Sequence, residues 1–272
     1  MGYVDVNETK IYYETYGEGE SLAFLNGIFM STQSFSQFLP LFSKKYKVLL
    51  HDFRGQWNSG KEGEKYSLEL HSKDFFILLE KLKIEKVNIV GISYGGEVAL
   101  KFATLYPEFV KSLVIISSVS EIDDCIYEKI EKWKDGARTK DANKFIDSWL
   151  NDVYSKKFLE KYENFLRNKI IESLKNFDYD ASIKLIDSFL ELKDNPLTPF
   201  LNKISSPTLV IGSEFDSIKP VKFSKIIHEN IKNSEFVIVG ESGHAVNVEK
   251  FNEVQTLILG FLEKINLFER SD

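Results

Sequence analysis

Short runs of β-branched and aromatic residues alternate along this chain with longer segments of helical periodicity. The runs that predict buried strands are residues 22–25, 48–51, 87–90, 110–116, 208–211 and 236–239. The amphipathic segments are residues 36–43, 68–82, 94–105, 221–231 and 249–265. This alternation is typical of a parallel sheet that has helices on both faces. Residues 3–6 and 10–16 predict an antiparallel pair at the start, so we expect an α/β fold with a mostly parallel sheet of eight strands.

One long segment, residues 121–200, interrupts the alternation. It holds a single glycine, Gly136, and no proline before Pro196, and its apolar residues recur at helical spacing. We expect three or four helices there, inserted between two strands of the sheet. The chain therefore divides into a core, residues 1–120 and 201–272, and a helical insertion, residues 121–200.

The composition excludes several classes of function. The chain has 272 residues, with 35 Lys and Arg against 41 Asp and Glu, and this balance disfavours nucleic-acid binding, which needs a basic surface. No apolar run approaches the roughly 18 residues that span a bilayer. The first ten residues lack the apolar region of a signal peptide. A single cysteine, Cys125, fits a reducing compartment, so we expect a cytoplasmic protein. Nothing in the sequence implies a metal or an organic cofactor.

The most informative stretch is Gly-Ile-Ser-Tyr-Gly at residues 91–95, which has the Gly-x-Ser-x-Gly pattern around Ser93. A buried strand is predicted before it and a helix from Tyr94, which is the setting of a nucleophile elbow. In such a turn the serine adopts a strained, positive φ that lifts its hydroxyl clear of the sheet. Larger side chains at Gly91 and Gly95 would collide there. The alternative is an ordinary glycine-rich turn with a capping serine. Ser93 is the candidate nucleophile.

A serine hydroxyl is a weak nucleophile and needs a base, usually a histidine that a carboxylate orients. His244 lies just past the last predicted strand, at the carboxyl edge of the sheet, where catalytic side chains gather in open α/β proteins. The other histidines fit structural roles better, since His71 and His228 lie within predicted helices and His51 ends a strand. We therefore expect His244 to be the base.

The carboxylate that orients this base has one leading candidate. Asp216 follows the strand at 208–211 through a short turn, so it also lies at the carboxyl edge of the sheet. Glu214 in the same turn is an alternative, and Glu121 is a more remote one. The alternative is that Asp216 has a structural role only, in which it forms the turn and caps the next helix.

An acyl-transfer site also needs preorganised donors for the oxyanion of the tetrahedral intermediate. The backbone N–H of Tyr94, the residue after the nucleophile, is the first candidate. The second should come from the loop after the strand at 22–25, and we expect it to be the N–H of Ile28, with Phe29 as the alternative. A plain Asn-Gly turn would have the same sequence.

With these residues assembled, the chain resembles the α/β-hydrolase superfamily over essentially its whole length. The chain order Ser, Asp, His matches that family, and residues 52–55 with Ser59 are similar to its Asp-x-Arg-Gly-x-Gly-x-Ser loop. The resemblance implies that the helices at 121–200 form a cap over the active site. Asn26 departs from the family because His-Gly is common there, and Trp57 replaces the second glycine of the Arg-Gly loop. A serine nucleophile rather than an aspartate argues against the haloalkane dehalogenase and epoxide hydrolase branches.

The expected cap is rich in aromatic residues, most of which should simply form its core. Some must face the pocket if the cap covers the nucleophile, and ligand pockets are usually apolar. We expect the substrate pocket to be lined by Phe29, Tyr94, Trp133 and Trp149. Such a lining fits an uncharged apolar or aromatic small molecule.

Three functional hypotheses follow. The first is a serine hydrolase that cleaves a carboxylic ester through an acyl-enzyme. The second keeps the same residues for C–C bond or thioester hydrolysis, acyl transfer or cofactor-free peroxidation, since a fold does not fix a function. The third is a ligand-sensing protein with slow turnover that reports its occupancy to a signalling partner. The sequence alone predicts neither the natural substrate nor an oligomeric state.

Overall fold

A sheet of eight strands runs through the computed structural model, which describes residues 1–269. The strands are β1 (Gly2–Val6), β2 (Thr9–Tyr16), β3 (Glu20–Leu25), β4 (Tyr46–His51), β5 (Val87–Ile92), β6 (Val110–Ile116), β7 (Thr208–Ser213) and β8 (Ser234–Val239). Their order is β1-β2-β4-β3-β5-β6-β7-β8. Neighbours from β4 across to β8 pair in parallel, whereas β2 is antiparallel to both β1 and β4. The expected mostly parallel sheet of eight strands is confirmed.

The first two strands are joined by a two-residue turn. Asn7 and Glu8 have φ values of 41° and 64°, and a type I′ turn requires a positive φ at both of its central residues. Val6 and Thr9 pair directly across it. The turn type matches the twist of paired strands, so it fixes the register of this edge hairpin.

The helices account for most of the remaining chain. They are α1 (Leu39–Phe42), α2 (Leu68–Lys81), α3 (Tyr94–Leu105), α4 (Asp124–Arg138), α5 (Ala142–Val153), α6 (Lys156–Ser173), α7 (Tyr179–Leu190), α8 (Val221–Asn230), α9 (Val246–Glu249) and α10 (Phe251–Glu269). None of these described helices is long and apolar enough to cross a membrane.

Two of the predicted helices need correction. The segment 36–43 contains only the single turn α1, because the ring of Pro40 excludes a helix that continues through it from residue 36. The segment 249–265 is interrupted at Lys250, whose φ of −126° and ψ of 42° lie outside the helical region. The chain therefore turns between α9 and α10 instead of forming one helix.

Four helices, α4 to α7, lie between β6 and β7, and each begins at a capping side chain. Asp123, Asp141, Ser155 and Asp178 each accept a hydrogen bond from the amide three residues later. Such a bond satisfies one of the free N–H groups in the first turn of a helix. These caps explain how a stretch nearly free of glycine and proline is still divided into separate helices.

The core forms two layers, one on each face of the sheet. Alternate residues of a strand point to opposite faces, so Ala23 and Leu25 pack in one layer and Leu22 and Phe24 in the other. The first layer continues into buried residues of α2, α3 and the four inserted helices, and the second is closed by α10. The inserted helices therefore share a continuous apolar interior with the helix that follows Ser93.

Candidate active site

Ser93 lies in the turn between β5 and α3 with a strained backbone. Its φ is 55° and its ψ −121°, in a region that L-residues populate only at an energetic cost. The flanking glycines are required, because a Cβ on Gly91 would lie 2.6 Å from the Gly95 carbonyl oxygen, and one on Gly95 would lie 2.2 Å from the Leu25 oxygen. Ser93 is half-buried at the end of β5.

Three side chains from three separate loops form a hydrogen-bond chain at this edge of the sheet. The Nε2 atom of His244 lies 2.9 Å from Ser93 Oγ, and its Nδ1 atom lies 2.7 Å from Asp216 Oδ2. A carboxylate only accepts hydrogen bonds, so we assign the histidine proton to Nδ1, which leaves Nε2 free to accept the serine proton. The structure thus brings together the three residues that the sequence singled out.

Asp216 is fixed by its own backbone neighbours. Its Oδ1 atom accepts hydrogen bonds from the amides of Ile218 at 2.9 Å and Lys219 at 2.8 Å. Burial raises the pKa of Asp216, but the nearby His244 and these hydrogen bonds outweigh it, so the pKa lies below its ordinary value. The group is therefore an anion that can stabilise an imidazolium.

The rejected alternatives have other partners or surroundings. Glu214 is exposed and accepts a hydrogen bond from the Glu241 amide. His71 bonds the Tyr94 hydroxyl at 2.8 Å inside the core, and His51 stacks on the ring of Phe75. Burial lowers the pKa of both histidines to about 3, which makes them neutral structural groups. His228 bonds Ser234, and Glu121, the remoter alternative acid, is half-buried.

Two backbone amides beside Ser93 have no acceptor. Within residues 1–269 neither Tyr94 N–H nor Ile28 N–H donates a hydrogen bond, as expected of Tyr94 because the first amides of a helix have no partner within it. Ile28 and Tyr94 line the same small cavity as Ser93, whereas Phe29 does not. This arrangement favours Ile28 over Phe29 as the second oxyanion donor.

The loop that carries Ile28 is held by two side-chain amides. Asn26 Nδ2 donates to the His51 carbonyl at 2.9 Å and to Gln56 Oε1 at 3.2 Å. Gln56 Nε2 in turn donates to the carbonyls of Gly27 at 2.8 Å and Ile28 at 3.1 Å. Asn26 therefore belongs to an amide network that supports this loop without the histidine common in the family.

The second departure from the family, Trp57, is also accommodated. Its φ is 24°, so a tryptophan adopts a positive φ at the position where the family has glycine. The indole Nε1 donates to the Met30 carbonyl at 2.9 Å, and the Met30 sulfur lies 3.3 Å from the Gly27 amide nitrogen. Trp57 therefore holds the far end of the same loop.

A buried ion pair lies beside Ser93, and sequence reasoning missed it. Lys219 Nζ lies 2.8 Å from both carboxylate oxygens of Glu97 and 3.1 Å from Ser93 Oγ. Burial raises the pKa of Glu97 and lowers that of Lys219, and the opposite charge of each partner limits the shift. A glutamate in the otherwise apolar start of α3 is the signal that predicts a buried partner, but nothing in the sequence identifies Lys219.

The cavity at Ser93 is small and mostly apolar. Its volume is about 20 Å³, room for a single water molecule. It is lined by Ile28, Ser93, Tyr94, Ile130, Trp133, Phe189, Ile218, Lys219 and His244. Of the expected pocket residues, Tyr94 and Trp133 line it. Phe29 and Trp149 do not line it. The ring of Phe29 packs against those of Trp133 and Trp149, with 5.9 Å between ring centroids in each pair.

The chemistry open to this arrangement is proton transfer from a serine hydroxyl to a histidine, next to unpaired backbone donors. Such a group of residues forms and breaks covalent bonds at a carbonyl carbon. Among residues 1–269, no three His, Cys, Asp or Glu side chains cluster in a way that could hold a metal ion.

Comparison with known proteins agrees with this geometry. The profile of the alpha/beta hydrolase fold family matches residues 21–251. MGS-M2, an alpha/beta hydrolase enzyme from a Medee basin deep-sea metagenome library, is 30% identical, with a TM-score of 0.91 over 96% of this chain and 97% of that one. The serine hydrolase BPHL of Homo sapiens is 26% identical over 96% of this chain and 85% of its own length.

A third relative, the enol-lactonase of Burkholderia xenovorans LB400, is 20% identical, with a TM-score of 0.87 over 96% of this chain and all of that one. This likeness shows the shared fold. The relatives as a group support a hydrolase or a related activity. Because the family profile covers most of the sequence, the chain belongs to the alpha/beta hydrolase fold family.

Proposed function

We propose that this chain is a serine hydrolase that cleaves a carboxylic ester of a small apolar or aromatic molecule through an acyl-enzyme. The observation that carries the proposal is the hydrogen-bond chain from Asp216 through His244 to Ser93, with distances of 2.7 and 2.9 Å. The likeness to a human serine hydrolase over nearly the whole chain supports the same chemistry.

Acylation begins at the hydroxyl of Ser93. Its oxygen bonds to the ester carbonyl carbon while its proton passes to His244 Nε2, and the Asp216 carboxylate stabilises the imidazolium that forms. The amides of Tyr94 and Ile28 donate to the oxyanion. The bond from carbon to the leaving oxygen then breaks, and the alcohol takes the proton from His244.

Deacylation repeats these steps with water. A water molecule gives a proton to His244 Nε2 as its oxygen bonds to the acyl carbon. The bond to Ser93 Oγ then breaks, and His244 returns the proton to that oxygen. The acid product leaves, and the three side chains regain their starting protonation.

The walls of the cavity argue for a short, uncharged acyl group. Six of its lining residues have aliphatic or aromatic side chains without charge: Ile28, Tyr94, Ile130, Trp133, Phe189 and Ile218. The only lysine in the lining, Lys219, is neutralised by Glu97 at 2.8 Å. Burying an unpaired charge there would be costly, and a volume of about 20 Å³ leaves little room for a long chain.

A panel of 4-nitrophenyl esters tests the proposal. We expect kcat/KM to be highest for the acetate and to fall as the acyl chain lengthens toward the octanoate. The hemisuccinate has an acyl chain as long as that of the butyrate but carries a charge, so it should be a poor substrate. Ser93→Ala should remove turnover. A clear preference for the hemisuccinate, or for a thioester of the same acyl group, would contradict the proposed substrate class.

A further inference from the structure

Each N–H group of the Lys219 ammonium has a hydrogen-bond acceptor within the site. It has three N–H groups, and three acceptors lie within reach: the two oxygens of Glu97 at 2.8 Å each and Ser93 Oγ at 3.1 Å. The side chains of Lys219 and Glu97 are 3% and 0% exposed. The ring of Phe189 packs over Nζ, with its centroid at 4.6 Å. The cation is therefore held at one position, against the oxygen that the proposed reaction uses.

A second buried ion pair shows what a purely structural one looks like in this fold. Arg54 is bound by both oxygens of Asp74 and by the carbonyls of Asn7 and Glu62, so each of its contacts ties one backbone segment to another. Among residues 1–269, the Lys219 ammonium differs because it donates to no backbone carbonyl and its third N–H donates to Ser93. Stability alone gives no reason for such a pair, since replacing a buried ion pair with apolar side chains is often neutral or stabilising.

We propose that Lys219 is a further catalytic residue, which donates a hydrogen bond to Ser93 Oγ during acyl transfer, and that Glu97 is the positioning residue that holds it there. The inference rests on the part of the proposed function that makes Ser93 an activated nucleophile. It does not depend on which ester is cleaved.

The contribution is electrostatic, and Lys219 keeps its protons throughout. As the hydroxyl proton moves to His244 Nε2, negative charge grows on Oγ, and an ammonium at hydrogen-bond distance lowers the free energy of that charge. Glu97 balances the lysine, so the pair adds no net positive charge beside the imidazolium. Among the described residues, a further charged group near Lys219 is Asp216, which already contacts His244.

The acyl-enzyme gives the same donor a second partner. Once Oγ is an ester oxygen it accepts hydrogen bonds more weakly, so the third N–H of Lys219 is free to hold the leaving alcohol or the incoming water next to His244. The lysine would then assist both halves of the reaction without exchanging a proton.

The experiment measures the second-order rate constant for phosphonylation of Ser93 by a small fluorophosphonate, together with kcat and KM for 4-nitrophenyl acetate. The variants are Lys219→Met, Lys219→Arg, Glu97→Gln and the double variant Glu97→Gln/Lys219→Met, which leaves no unpaired buried charge. The matched control is Arg54→Met/Asp74→Asn, which removes the other buried ion pair. Urea unfolding of each variant reports the stability change separately.

We expect the double variant and Lys219→Met to react about 10- to 100-fold more slowly than wild type, the effect of one charge-assisted hydrogen bond. In these two variants kcat for 4-nitrophenyl acetate should fall, whereas KM should stay within threefold of the wild-type value. Lys219→Arg keeps a cationic donor and should recover part of the phosphonylation rate. The rate of Glu97→Gln should lie between those of Lys219→Met and wild type. The Arg54→Met/Asp74→Asn control should lose stability but keep its rate.

A double variant that reacts within threefold of wild type would show that the pair is structural, and the inference would be wrong. This result differs from failure of the proposed function. If wild type is phosphonylated but hydrolyses no ester, only the substrate class fails, and the rate comparison still decides the role of Lys219. If wild type is not phosphonylated, no activated serine exists and both proposals are overturned.

Discussion

The side-chain amide of Gln56 donates at 2.8 Å to the carbonyl of Gly27, whose peptide bond carries the N–H of Ile28 at its other end. A donor on the carbonyl polarises the peptide and strengthens the N–H on the opposite side. Gln56→Met removes this donor with little change in volume. We expect kcat for 4-nitrophenyl acetate to fall about 10- to 100-fold, since the loop would no longer hold the oxyanion donor in place.

The matched control is Gln33→Met, because Gln33 is exposed on the 3-10 turn that follows the same loop. Its kcat should stay within twofold of wild type. Equal rates for Gln56→Met and wild type would show that the amide network does not support the reaction.

Asp216 and Glu214 provide a second matched pair, two carboxylates in one turn of which only Asp216 contacts His244. Asp216→Asn should reduce kcat by about 10³- to 10⁴-fold, because the amide favours the wrong histidine tautomer. Glu214→Gln should leave kcat unchanged. Steady-state kinetics on both variants decide the assignment, and a large loss in Glu214→Gln alone would reverse it.

Two glycines should respond to alanine in opposite directions. Gly95→Ala places a Cβ 2.2 Å from the Leu25 oxygen, so we expect the free energy of unfolding to fall by about 3 kcal/mol. A Cβ on Gly260, within α10, meets nothing within 4 Å, so Gly260→Ala should raise it by about 1 kcal/mol through helix propensity. Urea unfolding measures both changes, and a stable Gly95→Ala protein would contradict the close packing of the elbow.

His51 and His71 should make the fold sensitive to acid. Burial lowers the pKa of each from 6.5 to about 3, so between these values the unfolded chain binds more protons than the folded one. The free energy of unfolding is therefore highest above the unfolded pKa and falls as the pH drops from 6.5 toward 3. The slope is at most about 1.4 kcal/mol per pH unit for each histidine.

Urea unfolding of wild type and His51→Phe over this pH range checks the prediction. The phenyl ring keeps the stack on Phe75 and cannot titrate. The free energy of unfolding of the variant should therefore depend on pH less steeply, by the contribution of one histidine, at most about 1.4 kcal/mol per pH unit. An identical pH dependence in the two proteins would show that His51 is not buried as a neutral group.

The sequence predicts the sheet well, because each strand and its turns are specified locally. Alternate residues of a buried run such as Leu22–Leu25 pack on opposite faces of the sheet. Gly91 and Gly95 mark the elbow, because a Cβ at either position would collide with the neighbouring backbone. The two helix errors have local causes that the periodicity does not show. Pro40 prevents one helix from beginning at residue 36, and Lys250 interrupts another.

The contacts that complete the site are harder to predict, because they join residues far apart in the chain. Lys219 and Glu97 are separated by 122 positions, and either could pair with many other charges in a sequence of this composition. Gln56 has no pattern that indicates its bond to Gly27. Glu249 accepts hydrogen bonds from both Ser155 and Gly243, and so links the inserted helices to the loop of His244 by a contact that depends on the folded shape.

The central claim is that Ser93 is a nucleophile activated by His244, and intact-mass analysis after treatment with a small fluorophosphonate tests it most directly. The probe requires an activated serine and an oxyanion site but no knowledge of the natural substrate. We predict one adduct on wild type, none on Ser93→Ala, and a much slower reaction with His244→Ala. An unmodified wild-type protein, or an adduct that persists in Ser93→Ala, would contradict the account.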